Sequence, residues 1–126
     1  MIEMNKKTVN REIPIAYEAL SNNTEVVVNG KIDKTFRGQI SSFGASVATG
    51  SIVSAVAFFS ASDNASSTDR PQLMKLIYDI LKRDNLMPSA CEDLFDYVKD
   101  GSYERKENVL NAAIALKLAI NLFEFE

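Results

Sequence analysis

Side chains that could carry catalytic chemistry are scarce in this chain of 126 residues, because it contains no histidine. The absence of histidine excludes Ser-His-Asp and Cys-His nucleophile systems, His-bound metals and histidine general bases. Cys91 is the only cysteine, so it forms no internal disulfide, and we interpret it as a small buried residue. The five glycines fit no nucleotide-binding loop. We therefore predict a binding protein with no catalytic residue, no metal and no cofactor.

Carboxylates concentrate after residue 89, where eight acidic residues stand against four basic ones. Glu92, Asp96 and Asp100 recur at every fourth position, which places them on one face of a helix. Such a set could bind Mg²⁺ or a basic partner, but a hard cation needs oxygen ligands that converge from several directions. We therefore interpret the acidic residues as a solvated face. The set comprises Glu92, Asp93, Asp96, Asp100, Glu104 and Glu107.

Residues 1–37 are the only basic region of the chain, with six Lys or Arg against five Asp or Glu, although the whole chain has a net charge of -3. A patch of such cations could contact phosphates, because an RNA duplex is bound chiefly through its backbone and shape. The alternative is an ordinary solvated surface. The candidate nucleic-acid-binding residues are Lys6, Lys7, Arg11, Lys31, Lys34 and Arg37.

The element that carries the first of these cations is predicted from apolar spacing. Residues 13–20 show one apolar face of a helix, and Pro14 fits best in its first turn. If the helix instead extends backwards, Lys7, Arg11 and Glu18 lie on its solvent face and Pro14 kinks it. The apolar face consists of Ile13, Ala16, Tyr17 and Leu20.

Extended structure is predicted at one place and is an alternative at another. Residues 24–32 predict a short β-ribbon or an ordered loop, because Asn29-Gly30 stands between β-branched residues. Residues 114–122 alternate apolar and other positions, which would also fit a strand. The alanines around them favour a helix there.

Two of the remaining cations fall on a second predicted helix. Asp33 can cap a helix over residues 34–49, which Gly50 ends. Lys34 and Arg37 then point away from its apolar face. That face comprises Phe36, Ile40, Phe43 and Val47.

Small residues on this helix could let another backbone approach closely, either inside the fold or between subunits. We favour packing inside the fold, because the helix predicted at residues 52–59, after the cap Ser51, is apolar nearly all round. The small residues are Gly38, Ser42, Gly44, Ala45 and Ala48.

Helical spacing also predicts that the aromatic residues lie in the core and are not base-stacking platforms. These aromatic residues are Tyr17, Phe36, Phe43, Phe58, Phe59 and Tyr103.

The second half of the chain predicts three more helices. After a polar loop at residues 60–69, Asp69 and Pro71 begin a helix that ends near Asp84. Its apolar face comprises Leu73, Leu76, Ile77, Ile80 and Leu81. We therefore predict a single all-α domain over residues 1–126, a compact bundle of five to six helices.

The last two predicted helices begin at recognisable caps. Ser89 and Glu92 have the spacing of a capping box for a short helix that Gly101 stops. Its predicted inward residues are Cys91, Leu94, Phe95 and Val98. Ser102 can then cap a long helix reaching towards Phe125.

A membrane location is not expected. Residues 38–62 contain no charge, but their serines and glycines make them too polar to span a bilayer, and we predict that they form the centre of the core. No apolar segment of a signal peptide follows the first residues. With a single cysteine, the expected compartment is the cytoplasm.

Three blocks of sequence resemble the small helical subunit family of the type III-B CRISPR Cmr complex. They are IPIAYEAL at 13–20, GKIDKTFRGQISSFGAS at 30–46, and Gly50 followed by AVAFFS at 55–60. The resemblance covers residues 11–83 and implies a non-catalytic structural subunit in antiviral defence. It implies that copies stack as a minor filament beside the other Cmr subunits and contact the backbone of crRNA and target RNA. No membrane and no small-molecule substrate is implied.

A different class of function remains open from the residues themselves. The predicted last helix leaves only a narrow polar stripe, comprising Lys117, Asn121 and Glu124. Its remaining surface is apolar enough to be an interface. The alternative prediction is therefore a free-standing helical adaptor or regulator that binds another protein through this helix.

Overall fold

The computed structural model describes residues 5–61 and 69–125, so most of the polar loop predicted at residues 60–69 lies outside the described residues. The described chain forms six α-helices and a small sheet, which confirms the predicted mostly helical fold. The helices are α1 (Lys6–Ser21), α2 (Lys34–Thr49), α3 (Ile52–Ser60), α4 (Asp69–Arg83), α5 (Leu94–Val98) and α6 (Tyr103–Ala119). The strands are β1 (Val27–Val28), β2 (Lys31–Ile32) and β3 (Glu124–Phe125).

The centre of the core is α4, which packs against each of the other five helices. All five predicted apolar residues of this helix are buried: Leu73, Leu76, Ile77, Ile80 and Leu81. Residues 38–62 contribute to the core as predicted, for example with Ile40, Phe43 and Phe59, but the helix that packs against all the others is α4. In that stretch, one face of α2 and part of α3 are exposed, because these two helices lie at the outside of the bundle around α4.

The first helix begins eight residues before Pro14, so the proline lies inside α1 and not in its first turn. Asn5 fixes this start: its side chain accepts a hydrogen bond from the backbone N–H of Thr8, and its own N–H donates to Asn111 of α6. Pro14 removes one helical donor on the exposed side of α1, where water can replace it. The predicted solvent face of the extended helix is confirmed for Lys7, Arg11 and Glu18.

The β-ribbon predicted at residues 24–32 is present as an antiparallel pair of β1 and β2. Asn29 has φ 55° and Gly30 has φ 76°, the pair of left-handed positions that a type I′ hairpin turn requires. A third strand, β3, pairs in parallel with β2, with Lys31 opposite Glu124. The ribbon is therefore held at the end of the bundle by the last residues of the chain.

The last helix ends earlier than predicted. It stops at Ala119, passes into a 3-10 turn over Ile120–Leu122, and becomes β3 before Phe125. The free edge of β2 offers the backbone groups of β3 hydrogen-bonding partners. The alternative of a strand over residues 114–122 is not observed, because this segment is helical throughout.

The caps of α2 and α3 follow the sequence closely. Asp33 accepts a hydrogen bond from the N–H of Thr35, and Ser51 accepts one from the N–H of Ser54. The four predicted apolar residues of α2 are all buried: Phe36, Ile40, Phe43 and Val47. Although α3 is apolar nearly all round, it is not buried at every position, since Ala57 and Phe58 are exposed.

The cap of α5 differs from the predicted Ser89 box. Asp93 accepts a hydrogen bond from the N–H of Asp96 at 2.8 Å, and Asp96 in turn accepts one from the N–H of Glu92. Carboxylates cap a helix as well as a serine does, so the helix begins later, at Leu94. Leu94 and Val98 are buried as predicted, whereas Cys91 is only partly buried and Phe95 is exposed.

Candidate nucleic-acid interface

Three of the six predicted cations lie together where the ribbon meets α2. Lys31 lies in β2, and Lys34 and Arg37 lie in the first turn of α2; all three are exposed. The guanidinium of Arg37 lies over the ring of Phe125, 5.7 Å from its centre. We call Lys31, Lys34 and Arg37 the basic end, because the hairpin turn and β3 hold them at one end of the molecule.

The outward side of α2 beyond the basic end carries only small residues. Gly38, Ser42, Ala45 and Ala48 are exposed and Gly44 is half-buried, so the prediction that these residues pack inside the fold is wrong. A methyl group at Gly38 or Gly44 would meet no atom within 4 Å. The close helix contact inside the fold is instead between α1 and α6, both of which bury alanines. Contact of the α2 residues with another molecule stays a prediction.

The other three cations lie on the first half of α1. Lys6 and Lys7 are exposed. Arg11 donates two hydrogen bonds to Asp84, each of 2.8 Å, and the Asp84 side chain is only 7% exposed. This pairing raises the pKa of Arg11 and lowers the pKa of Asp84. The charge of Arg11 is thus already compensated within the chain, which makes it the weakest candidate for phosphate contact.

The structure does not bring the six cations into one patch. At its start α1 meets α6 through Asn5 and Asn111, and near its end Tyr17 stacks on Phe123 at 5.2 Å. The two helices therefore run in the same direction, and the basic end, which pairs with β3, lies towards the Tyr17 side of α1. Lys7 is ten residues before Tyr17, a separation of about 15 Å along the helix axis.

Glu12 is the titratable residue that the sequence analysis missed. Its side chain is fully buried on the core side of α1, and neither of its oxygens has a hydrogen-bond partner among the described residues. Burial raises the pKa of Glu12 to about 8, with Asp84 acting in the same direction and Arg11 against it. Its burial could have been predicted from its helical spacing, because it lies three residues after Val9 and four before Ala16 on the buried face.

The acidic residues lie around α5 and the start of α6, and we call them the acidic end: Glu92, Asp93, Asp96, Asp100, Glu104 and Glu107. Two of them cap α5, and the hydrogen bond from the Glu92 N–H is the main reason that the pKa of Asp96 is lowered. In the described part of the chain, no three His, Cys, Asp or Glu side chains converge on a point that could hold a metal ion.

Three of the aromatic predictions are wrong. Phe36, Phe43 and Phe59 are buried as expected, but Tyr17, Phe58 and Tyr103 are 42%, 61% and 59% exposed. Phe58 lies at the edge of its helix, where the guanidinium of Arg70 covers its ring at 5.1 Å. These residues lie at the edges of helix faces, where helical spacing alone does not separate core from surface.

The last findings concern membrane-spanning helices and similarity to known proteins. Within residues 5–61 and 69–125, no helix combines the length and the apolar character needed to cross a bilayer. Comparison of the chain with protein-family models, with curated proteins and with solved structures found no match.

Proposed function

We propose that this chain is a non-catalytic structural subunit of a crRNA-guided RNA-silencing complex of the Cmr type. It acts in the cytoplasm in antiviral defence, its copies stack beside the other Cmr subunits, and it contacts the backbone of the guide and target RNA. The proposal rests on the resemblance of residues 11–83. The structural observation that carries it is the outward face of α2, which joins the basic end to a row of small exposed residues.

The outward face of α2 suits the approach of a phosphate backbone. Lys34, Gly38, Ser41 and Ala45 follow one another at spacings of four, three and four residues, and all four are exposed. Without long side chains, the helix surface admits a sugar-phosphate chain closely, and serine hydroxyls can donate to its oxygens. The cations at the start of the helix and the positive end of its dipole add electrostatic attraction.

Gly38 indicates that something outside the chain uses this face. Glycine inside a helix costs about 0.5 to 1 kcal/mol relative to alanine. Nothing in the described fold requires the missing side chain, because a methyl group at Gly38 would meet open space. A close approach by a bound molecule would give the glycine a physical reason and supports the proposed contact.

Stacking of copies is supported by the separation of charge along α6. The basic end lies at the β3 side of this helix, and Glu104 of the acidic end lies in its first turn, about 24 Å away along the axis. Opposite charges at opposite ends favour head-to-tail contact, and repetition of such a contact without closure gives a filament.

Purification of a tagged chain from its native cytoplasm tests the proposal. Nuclease-protected RNA in the eluate is sequenced together with identification of the co-purified proteins. We expect repeat-tagged guide RNAs and other Cmr subunits. Recovery of the chain alone, or with one unrelated protein and no RNA, would contradict the proposal.

Charge reversal at the basic end tests the RNA contact. In the reconstituted complex, the triple variant K31E/K34E/R37E should bind target RNA more weakly, and log K against log salt should become less steep by about 0.9 per lost phosphate contact. The matched control K75E/K82E/K117E changes the same charge at three exposed positions on other helices and should match the unmodified complex. Equal RNA affinity of the two triple variants would contradict the assigned contact.

The adaptor function is a second candidate, because one specific surface favours it. An open groove of about 470 Å³ is lined by Ile13, Pro14, Tyr17, Glu18 and Leu122. Leu122 is 63% exposed and the neighbouring Leu118 is 44% exposed, an apolar surface suited to a protein partner. Under this function, Leu122→Lys abolishes recovery of a co-purified protein, whereas K31E/K34E/R37E leaves that recovery unchanged.

A further inference from the structure

A carboxyl group occupies a position in α1 where a negative charge is strongly disfavoured. Glu12 is 0% exposed, and among the described residues neither of its oxygens accepts a hydrogen bond. Burying an ionised carboxylate without donors costs far more than burying a neutral acid. The site therefore favours the form of Glu12 that carries a proton and can donate it.

The end of α4 holds the Asp84 carboxylate against Arg11 of α1, where it acts on the carboxyl group of Glu12. After α4, Asn85 takes the left-handed conformation with φ 61°, and the N–H of Leu86 donates to the carbonyl oxygen of Leu81 at 2.9 Å, as in a Schellman motif. Arg11 then binds each oxygen of the Asp84 carboxylate once. Each oxygen keeps a second lone pair, which can accept a hydrogen bond from Glu12.

Asp84 and Arg11 are the charged groups that act on Glu12 among the described residues. From the other side, α6 packs against α1 with buried residues that are apolar except for Asn111. The side-chain oxygen of Asn111 accepts the N–H of Asn5. Arg11 binds the Asp84 carboxylate and acts on Glu12 through its charge, so the three groups together are neutral when they hold one proton.

We propose that Arg11, Glu12 and Asp84 form a proton-dependent latch between α1 and the end of α4. With one proton on the cluster, Glu12 donates a hydrogen bond to Asp84, and Arg11 completes the closed arrangement. Loss of that proton to water leaves two buried negative charges against one positive charge, and α1 loosens from α4. The latch is independent of the proposed function in RNA silencing.

The titration of the Glu12 carboxyl carbon, followed by NMR of the ¹³C-labelled full chain, tests the first half of the latch. Its signal is assigned in the unmodified chain by through-bond correlation with the backbone amide of Glu12. We expect a midpoint near pH 8 for Glu12, as its raised pKa indicates. An ordinary midpoint for Glu12 would overturn the latch, and this measurement does not require that a variant folds.

Unfolding by urea between pH 5.5 and 9 tests the link to stability. The folded state holds the proton more tightly than the unfolded state, so its stability is fully present below the ordinary glutamate pKa and is lost as the pH rises towards 8. We expect the folding equilibrium constant to fall by up to about tenfold per pH unit in that range. Glu12→Gln, which keeps a donor without a titrating group, should remove this dependence, and Glu18→Gln should retain it.

Amide hydrogen exchange tests the release of α1. After correction for the intrinsic pH dependence of exchange, protection of the second half of α1 should drop between pH 6 and pH 9 in the unmodified chain, while protection of α2 changes less. Glu12→Gln should keep α1 protected at both values. Equal protection of α1 at pH 6 and pH 9 in the unmodified chain would overturn the latch even if Glu12 titrates near pH 8.

Discussion

Two glycines of this chain occupy opposite backbone conformations, so alanine should have effects of opposite sign. Gly38→Ala should raise the free energy of unfolding by about 0.5 to 1 kcal/mol, because alanine favours the helix and its methyl group meets no atom within 4 Å. Gly30→Ala should lower it by about 1 kcal/mol or more, because φ at this position is +76°. Urea unfolding at pH 7 measures both, and destabilisation by Gly38→Ala would mean that this face is packed.

At the scale of single residues, the sequence predicts the middle of each helix face but not its edges. Lys34 and Arg37 lie opposite the apolar face of α2 and are exposed as predicted. Tyr17 and Phe58 have helical spacing yet are exposed, because each lies at an edge whose burial depends on a neighbouring element. The burial of Glu12 was not predicted, because a charged residue is expected at the surface even where its helical spacing places it on the buried face.

At the scale of elements, the sequence and the structure assign different capping residues to α5. Asp93→Ala should lower the free energy of unfolding by about 1 kcal/mol, because it removes the acceptor at the start of the helix. Ser89→Ala, the cap that the sequence predicted, should change it by less than about 0.5 kcal/mol. Thermal or urea unfolding of the two variants decides between them, and a larger loss for Ser89→Ala would restore the predicted capping box.

Element boundaries were predictable where the signals are local. The helix α2 begins after Asp33 and ends at Gly50 as predicted, because cap and stop residues act within one turn. The start of α1 and the strand β3 were not predictable in this way. The first is fixed by a hydrogen bond to Asn111, and the second by pairing with β2, and both contacts join residues that are far apart in sequence.

At the scale of the whole molecule, the sequence predicted a basic N-terminal third but not that its cations lie in two separate places. The parallel course of α1 and α6 places Lys6 and Lys7 at one end of α1 and the basic end towards the other. This separation depends on contacts such as the stack of Tyr17 on Phe123, which no periodicity encodes. The same arrangement puts the basic end and Glu104 of the acidic end at opposite ends of α6, although Glu124 lies opposite Lys31 in the sheet and Arg105 and Lys106 follow Glu104.

If copies stack head to tail, reversing the charges at one end of the molecule should change its self-association. At about 0.01 M ionic strength, where screening extends about 30 Å, sedimentation velocity should show self-association that disappears near 1 M salt. Reversing the basic end in K31E/K34E/R37E, or the acidic end in E92K/E104K/E107K, should abolish it, because each variant then carries like charges at both ends. A mixture of the two variants should associate again, since unlike ends can meet. Absence of association in the mixture, with both variants folded, would show that these ends do not form the contact between copies.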